Sequence, residues 1–248
     1  MIPELAGAVF LHAHPDDETL VTGALLGALA ASGCDVAVVT ATRGEQGEIV
    51  PGAFVGSADE LVAHREQELA DALAALGVTR HVFLGTPPAR VSGSTPRRYT
   101  DSGMRWVTPT LAGPSFSAGP ESLTAADAHE AAADLVAYLA QVGATALVSY
   151  DAHGGYGHPD HVACHEIAVL ASGRSGIPLF EVVSEPLLPA ANAVELAHPE
   201  FLDVVKRALA GHASQLTVEG DELVHVGGQR QPIATSVWLR RHPCADAL

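Results

Sequence analysis

Short runs of apolar residues alternate with longer segments of helical periodicity along most of this chain. The apolar runs have the length and character of strands buried on both faces. They fall at residues 8–11, 36–40, 81–84, 144–150 and 179–183. The helical segments fall at residues 18–32, 59–76, 124–141, 160–171 and 199–211. This alternation predicts an α/β fold, a mostly parallel sheet with helices on both faces.

Turn-forming and capping residues add detail to this pattern. Thr124 is expected to cap the helix at 124–141. Residues 86–122 are rich in Pro, Gly, Ser and Thr, which predicts a long loop of the kind that is often functional. Near the end, residues 223–226 and 235–239 predict a further pair of strands.

Composition narrows the class of partner. The 248 residues include 29 acidic and 13 basic side chains, a formal net charge of −16. Nucleic acids and anionic membranes select basic surfaces, so neither is an expected partner. Three scattered cysteines argue against a disulfide framework. Because the start also lacks the basic region and apolar run of a signal peptide, we expect a cytoplasmic protein.

Two tetrads of ionisable residues follow two of the predicted strands. His14-Pro15-Asp16-Asp17 comes after the strand at 8–11, and His158-Pro159-Asp160-His161 comes after the strand at 144–150 and a glycine-rich loop. Sites in parallel sheets form beyond the carboxyl ends of strands, so both tetrads are expected at one edge. Buried histidines and carboxylates are costly unless a cation lies between them. The two tetrads together therefore predict a metal site.

The donor types suit a catalytic divalent metal. A catalytic zinc takes three protein ligands, and His14, Asp17 and one of the two downstream histidines would supply them. The same set suits ferrous iron. Metal-assisted hydrolysis follows, with Asp16 taking a proton from water and His158, if protonated and oriented by Asp160, stabilising the oxyanion. No G-x-G-x-x-G follows the first strand, so no dinucleotide cofactor is expected.

The tetrads and their neighbours resemble those of the LmbE-like (PIG-L) N-acetylglucosaminyl deacetylases. Five further segments are similar to the mycothiol-pathway branch of that family, which holds a deacetylase and an amidase. These segments are residues 42–48, 64–69, 101–104, 150–156 and 211–215. The resemblance implies a Rossmann-like zinc hydrolase that removes acetyl groups from amino sugars.

The resemblance also implies roles for single residues. It makes His14, Asp17 and His161 the metal ligands and Asp16 the general base. His158 would then stabilise the oxyanion and protonate the leaving amine.

Further roles follow from the same resemblance. Asp160 would orient His158, and Tyr156 would reach the carbonyl oxygen of the substrate. The positions that match sugar-binding residues are Glu48, Arg65, Asp101 and Met104.

The expected substrate is a small-molecule amino-sugar glycoside such as N-acetylglucosaminyl-inositol. A mycothiol S-conjugate with a larger acyl group, or a natural-product amino sugar, remains an alternative because Trp106 adds an apolar surface and the tail departs from the branch. We expect a single domain over residues 1–248, with a core at about 1–183 and a smaller C-terminal α/β portion at about 184–248 that helps to shape the substrate pocket. The sequence leaves the oligomeric state open, a homo-oligomer included.

Overall fold

A central sheet with helices on both faces organises the protein, as the computed structural model shows for residues 2–184 and 192–243. The helices are α1 (Asp17–Ala31), α2 (Ala58–Leu76), α3 (Ala128–Val142), α4 (Pro159–Ser175) and α5 (Leu202–Gly211). The strands are β1 (Ala8–His12), β2 (Ala37–Thr40), β3 (Arg80–Phe83), β4 (Met104–Thr108), β5 (Leu111–Pro114), β6 (Ala146–Tyr150), β7 (Leu179–Val182), β8 (Ala193–Ala197), β9 (Leu216–Glu219), β10 (Glu222–His225), β11 (Arg230–Pro232) and β12 (Ser236–Arg241).

Seven strands form the central sheet, in the order β3-β2-β1-β6-β7-β12-β8. The first five are parallel to one another, while β12 runs antiparallel to both β7 and β8. The predicted α/β fold with a mostly parallel sheet is therefore confirmed. Strand β12 comes from the C-terminal part of the chain yet lies inside the central sheet.

Alternation along β1 divides the core into two layers. Phe10 packs with the apolar faces of α1, α2 and α5, whereas Val9 and Leu11 pack with those of α3 and α4 on the other side of the sheet. Successive side chains of a strand point to opposite faces, so a strand buried on both sides is apolar along most of its length. All five residues of β1 are buried.

The strand order determines where the two tetrads lie in the fold. The chain winds from β1 to β2 and β3 on one side, and β6 and β7 lie on the other side of β1. Parallel sheets bind ligands at such a reversal of strand order, beyond the carboxyl ends of the strands. The first tetrad follows β1 and the second follows β6, so both lie at this point.

Two predictions about local structure are wrong. Asp127, rather than Thr124, caps α3, accepting a hydrogen bond from the backbone of His129 at 2.8 Å. Thr124 lies in a short 3₁₀ turn, where its hydroxyl contacts Ser102. The predicted loop at 86–122 contains the antiparallel hairpin β4–β5, which a composition rich in turn residues concealed.

The C-terminal strands also differ from prediction. The two predicted strands exist, as β10 and β12, but they do not pair with each other. β10 lies between β9 and β11 in a separate three-stranded sheet, while β12 joins the central sheet. Pairing partners depend on tertiary contacts, which local sequence patterns do not specify. Within the described ranges, no helix has both the length and the hydrophobicity needed to cross a bilayer.

Candidate metal centre and catalytic site

Three donor atoms from both tetrads meet at the carboxyl ends of β1 and β6. The Oδ2 atom of Asp17 lies 3.1 Å from Nδ1 of His14 and 3.3 Å from Nε2 of His161. All three side chains are buried. Ligand atoms around a tetrahedral zinc at about 2.1 Å lie about 3.4 Å apart, so the separation of the Asp17 oxygen from each of the two histidine nitrogens suits one such ion.

The hydrogen bonding of His161 provides a test of this fit. Both of its ring nitrogens are buried, and neither has a hydrogen-bond partner among the described residues. Its ring stacks on Tyr150, with centroids 4.1 Å apart, which fixes its orientation. A buried polar atom without a partner is costly, and a cation at Nε2 would remove that cost. The residues therefore fit a metal ion.

His158 also lies beside this cluster. A ligand atom of His158 comes within 4.8 Å of those of His14 and His161, so these three histidines could also hold a cation. However, Nδ1 of His158 accepts a hydrogen bond from the backbone N–H of Asp160 at 3.1 Å, which caps α4. An accepting Nδ1 means that the ring is neutral and carries its proton on Nε2. The expected protonated His158 is thus not the form that this geometry supports.

The carboxylate of Asp160 contacts His14, while its backbone contacts His158. It accepts a hydrogen bond from Nε2 of His14 at 3.1 Å, and the backbone N–H and hydroxyl of Ser102 also donate to it. Only the backbone of Asp160 contacts the His158 ring. The backbone of Asp160, rather than its carboxylate, thus holds the His158 ring, because the carboxylate turns back from the start of α4 toward the first tetrad.

Asp16 adopts a strained backbone conformation beside the donor cluster. Its φ is 112°, which non-glycine residues rarely adopt. Its backbone N–H donates to the carboxylate of Glu18 at 3.0 Å, and its own carboxylate accepts from Arg65 at 3.3 Å. Arg65 also donates to the carbonyl oxygen of Pro15 at 2.6 Å. The two backbone contacts fix the peptide unit between Pro15 and Asp16, which precedes the strained φ, and the contact with Arg65 fixes the carboxylate.

A buried ion pair holds Glu18, the residue that accepts a hydrogen bond from the backbone of Asp16. Oε1 of Glu18 lies 3.0 Å from Nε2 of His212, and both side chains are fully buried. His212 ends α5, so the pair joins the C-terminal part of the chain to the start of α1. Its charge and hydrogen bond hold the pKa of Glu18 below the usual value, although burial acts in the opposite direction. Neither residue was assigned a role in the sequence analysis.

The environment displaces several pKa values in the cluster. Burial raises the pKa of Asp16 to about 6. Burial would also raise the pKa of Asp17, but the charge of the nearby His161 and the hydrogen bond and charge of His14 hold it well below the usual value. Burial, together with the charges of those two histidines, lowers the pKa of His158 to about 2. Asp16 is thus the carboxyl group of this cluster that is best suited to accept and return a proton near neutral pH.

The four residues predicted to bind sugar occupy different settings. Arg65 is buried and its guanidinium donates to protein groups, as described above. Asp101 is also buried and accepts hydrogen bonds from the backbone of Gln46 and Gly103. Glu48 is exposed in the loop after β2, and Met104 is half-buried at the start of β4.

Glu45 holds the predicted sugar-binding residue Asp101 in place, and it was missed in the sequence analysis. Its carboxylate accepts from the backbone N–H of Asp101 at 2.9 Å and from the side chain of Arg98. It therefore connects the loop after β2 to the segment that leads into β4. The signal for it was weak, because glycine-rich loops after strands are usually ordinary turns.

Several known proteins are similar to this chain. Residues 9–172 match the PIG-L family, described as GlcNAc-PI de-N-acetylase. A 1D-myo-inositol 2-acetamido-2-deoxy-alpha-D-glucopyranoside deacetylase from Kineococcus radiotolerans is 44% identical over 164 residues, 66% of this chain and 44% of that protein. A relative of the same name from Saccharomonospora viridis is 34% identical over 264 aligned positions, 92% of each chain.

The length of the match varies among the relatives. This chain spans about half the length of the first three curated relatives it matches, between 44% and 63%. Among solved structures, the zinc-inhibited form of teicoplanin deacetylase Orf2 aligns with a TM-score of 0.58 and 20% identity, over 95% of this chain and 99% of that one. That likeness concerns the fold. With the family match over residues 9–172 and the near full-length relative, the chain belongs to the PIG-L family.

Proposed function

We propose that this protein is a zinc-dependent deacetylase that removes the acetyl group from an N-acetylglucosaminyl glycoside, such as N-acetylglucosaminyl-inositol. The convergence of His14, Asp17 and His161 beside the strained Asp16 is the observation that carries the proposal. The names of the two relatives support the choice of substrate.

His14, Asp17 and His161 would hold the metal. A divalent cation there would polarise the acetyl carbonyl and lower the pKa of a water molecule. Zinc suits two histidines and a carboxylate, and ferrous iron is the alternative. Asp160 would keep the proton of His14 on Nε2, which leaves Nδ1 with a lone pair directed toward Asp17.

Proton transfer would depend on Asp16 and His158. Asp16 would take a proton from the attacking water as the new C–O bond forms. The Nε2–H of neutral His158 would donate a hydrogen bond to the oxyanion. Asp16 would then return its proton to the sugar nitrogen as the C–N bond breaks, releasing acetate and the free amine. Tyr156 lies beside His158, with ring centroids 5.9 Å apart, and would assist at the same oxygen.

The sugar would lie against the loops that follow β2 and precede β4. We propose that Glu48, Asp101 and Met104 contact it there, with the exposed carboxylate of Glu48 binding hydroxyl groups. Arg65 would act mainly through Asp16, because its guanidinium is already engaged by protein oxygens.

A second candidate is an amidase or deacetylase for a bulkier substrate, such as a mycothiol S-conjugate or a natural-product amino sugar. The exposed rings of Trp106 and Tyr156 beside the site favour it. Competition between conjugate and N-acetyl substrates would separate the two candidates.

The test combines anaerobic metal analysis with acetate release from a panel of N-acetylglucosaminyl glycosides. We expect about one zinc or iron per chain. Asp16→Asn should keep that metal and lose nearly all turnover, whereas His161→Ala should lose the metal. Full activity of Asp16→Asn would contradict its role as the base, and normal metal content of His161→Ala would contradict the ligand set. No acetate release across the panel would contradict the choice of substrate.

A further inference from the structure

An aromatic face lies on the hairpin β4–β5, next to the candidate site. We define it by Met104, Trp106 and Tyr156. Trp106 is 48% exposed and Tyr156 is 41% exposed, large fractions for such side chains. Their ring centroids are 5.7 Å apart, with the planes tilted by 34°. Met104 and Trp106 are two apart in β4, so both project from the same side of the strand.

The hairpin that carries this face is fixed against the second tetrad. The backbone N–H of Ala112 in β5 donates to the carbonyl oxygen of Tyr156 at 2.8 Å. Gly157 has a φ of +85°, and a Cβ added there would lie 2.7 Å from Cδ1 of Leu111. The close approach therefore depends on glycine. The position of Trp106 relative to the site is set by these contacts rather than by a free loop.

The aromatic face continues into the metal centre. The ring of Tyr156 lies 5.4 Å from that of His161 and 5.9 Å from that of His158, measured between centroids. A substrate whose acetyl group reaches the donor cluster would therefore place neighbouring atoms over Tyr156, and the next group over Trp106. The face lies where the part of the substrate outside the acetylated sugar must extend.

The chemistry of the face is apolar. The polar groups of its three side chains are the hydroxyl of Tyr156 and the indole N–H of Trp106. The nearby Arg105 is directed elsewhere, since its guanidinium lies 4.7 Å over the ring of Phe116 and donates to the carbonyl oxygen of Pro114. Exposed rings of this kind gain by covering alkyl or aryl groups.

We infer that the aromatic face binds an apolar aglycone, an alkyl or aryl group attached to the N-acetylglucosaminyl sugar. This inference rests on the proposed deacetylase function and narrows its substrate class, because inositol is a polar aglycone and an alkyl or aryl group is not. A second copy of the chain is a poorer occupant, because a stable interface buries about 800 Å² on each partner and three side chains do not supply that area.

Fluorescence provides a binding test that needs no turnover. The chain has two tryptophans, Trp106 and Trp238, so Trp238→Phe leaves Trp106 as the only indole. This substitution, combined with Asp16→Asn, would be titrated with the octyl and methyl glycosides of N-acetylglucosamine. We expect a saturable change in Trp106 emission at concentrations about tenfold lower for the octyl glycoside. Equal affinities for the octyl and methyl glycosides would overturn the inference. So would a Trp106 emission that does not change when the octyl glycoside is added.

Kinetics of the metal-loaded enzyme provide the second arm. Trp106→Ala should raise KM for the octyl glycoside about tenfold more than it raises KM for the methyl glycoside, with a smaller effect on kcat than on KM. Val107→Ala is the matched control, because Val107 is the next residue, is 52% exposed and covers Gly113. Equal effects on both glycosides would indicate a structural role and contradict the inference.

The two proposals fail in different ways. Saturable octyl binding at Trp106 without hydrolysis of any glycoside would refute the deacetylase function but keep an apolar ligand site. Hydrolysis of both glycosides with the same KM, and no response of Trp106, would refute the aromatic face and keep the function.

Discussion

Asp160 accepts a hydrogen bond from Nε2 of His14 at 3.1 Å, across 146 positions of the sequence. The contact connects the two tetrads directly. Nε2 of His14 faces this carboxylate while Nδ1 faces the carboxylate of Asp17, so a metal held between Nδ1 and Asp17 would leave the ring proton on Nε2. Metal-binding histidines usually have such a partner, which fixes the tautomer and makes the ring a better ligand.

Replacing Asp160 with Asn should therefore weaken metal binding. An amide at this position accepts less strongly, and we expect the affinity for zinc to fall about 10- to 100-fold. Competition with a chromophoric chelator would measure it. A normal zinc affinity combined with a large loss of kcat would contradict this assignment and indicate a direct role for Asp160 in the reaction.

The strain at Asp16 predicts an unusual order of stability. Asp16→Ala and Asp16→Gly both remove the carboxylate, but only glycine adopts a φ of 112° without steric cost. We expect the glycine variant to be the more stable by about 1–2 kcal/mol. Urea unfolding of the two metal-free proteins measures the difference.

Gly173 provides the control for that comparison. It lies within α4, and a Cβ added there meets nothing within 4 Å. Gly173→Ala should stabilise the protein by about 0.5–1 kcal/mol, the ordinary helical preference. If alanine proves as stable as glycine at position 16, the strain interpretation fails.

The pair of Glu18 and His212 should matter for both stability and turnover. Glu18→Ala leaves a buried histidine and the backbone N–H of Asp16 without partners, so we expect a loss of about 3 kcal/mol or more in the free energy of unfolding. Glu18→Gln keeps an acceptor for Asp16, and should lose less stability and retain metal while kcat falls.

Glu66→Gln is the matched control for Glu18. The side chain of Glu66 is 41% exposed and pairs with Arg43, so its loss should cost less than about 1 kcal/mol. Turnover and metal content of all three variants, measured together, would separate positioning of Asp16 from a general loss of structure. An unchanged kcat in Glu18→Gln would contradict a positioning role.

Gly44 tests the role of Arg65 without altering any ionisable residue. A Cβ at Gly44 would overlap Nη1 of Arg65 and displace the guanidinium from Asp16. We expect Gly44→Ala to lower kcat about 10- to 100-fold. Gly52→Ala is the control, because Gly52 also has a positive φ but has nothing within 4 Å of an added Cβ. Similar kinetics for the two variants would argue against the role of Arg65.

His81 should make the fold sensitive to mild acid. Burial lowers its pKa to about 4 from the ordinary value of 6.5, so the unfolded chain binds a proton in a range where the folded chain does not. Stability is thus lost as pH falls from 6.5 toward 4. The loss attributable to His81 is about 2 kcal/mol between pH 7 and pH 5.

His81→Gln should remove that part of the pH dependence. Glutamine can still contact Thr40, which lies 3.0 Å from the histidine in the neighbouring strand. Unfolding free energies at pH 7 and pH 5 for both proteins would check it. If the two proteins lose the same stability on acidification, the assignment to His81 is wrong.

The sequence by itself determined the sheet and the place of the chemistry. Apolar runs such as β1 can only be buried on both faces, and parallel strands bring their carboxyl ends to one edge. Two His-Pro-Asp tetrads after two such strands were therefore expected to meet, and the donor atoms of His14, Asp17 and His161 do meet.

Only the tertiary structure decided which side chains of the site contact one another. Sequence spacing made Asp160 a partner of His158, its neighbour in the chain, but the folded chain turns its carboxylate to His14. The sequence pattern also gave no sign of the hairpin that brings Trp106 beside Tyr156, or of the pairing of Glu18 with His212. Hydrogen bonds and ring contacts form between residues far apart in sequence, where local periodicity carries no information. The pattern of residues thus determined where the site lies, and long-range packing determined how its side chains are arranged.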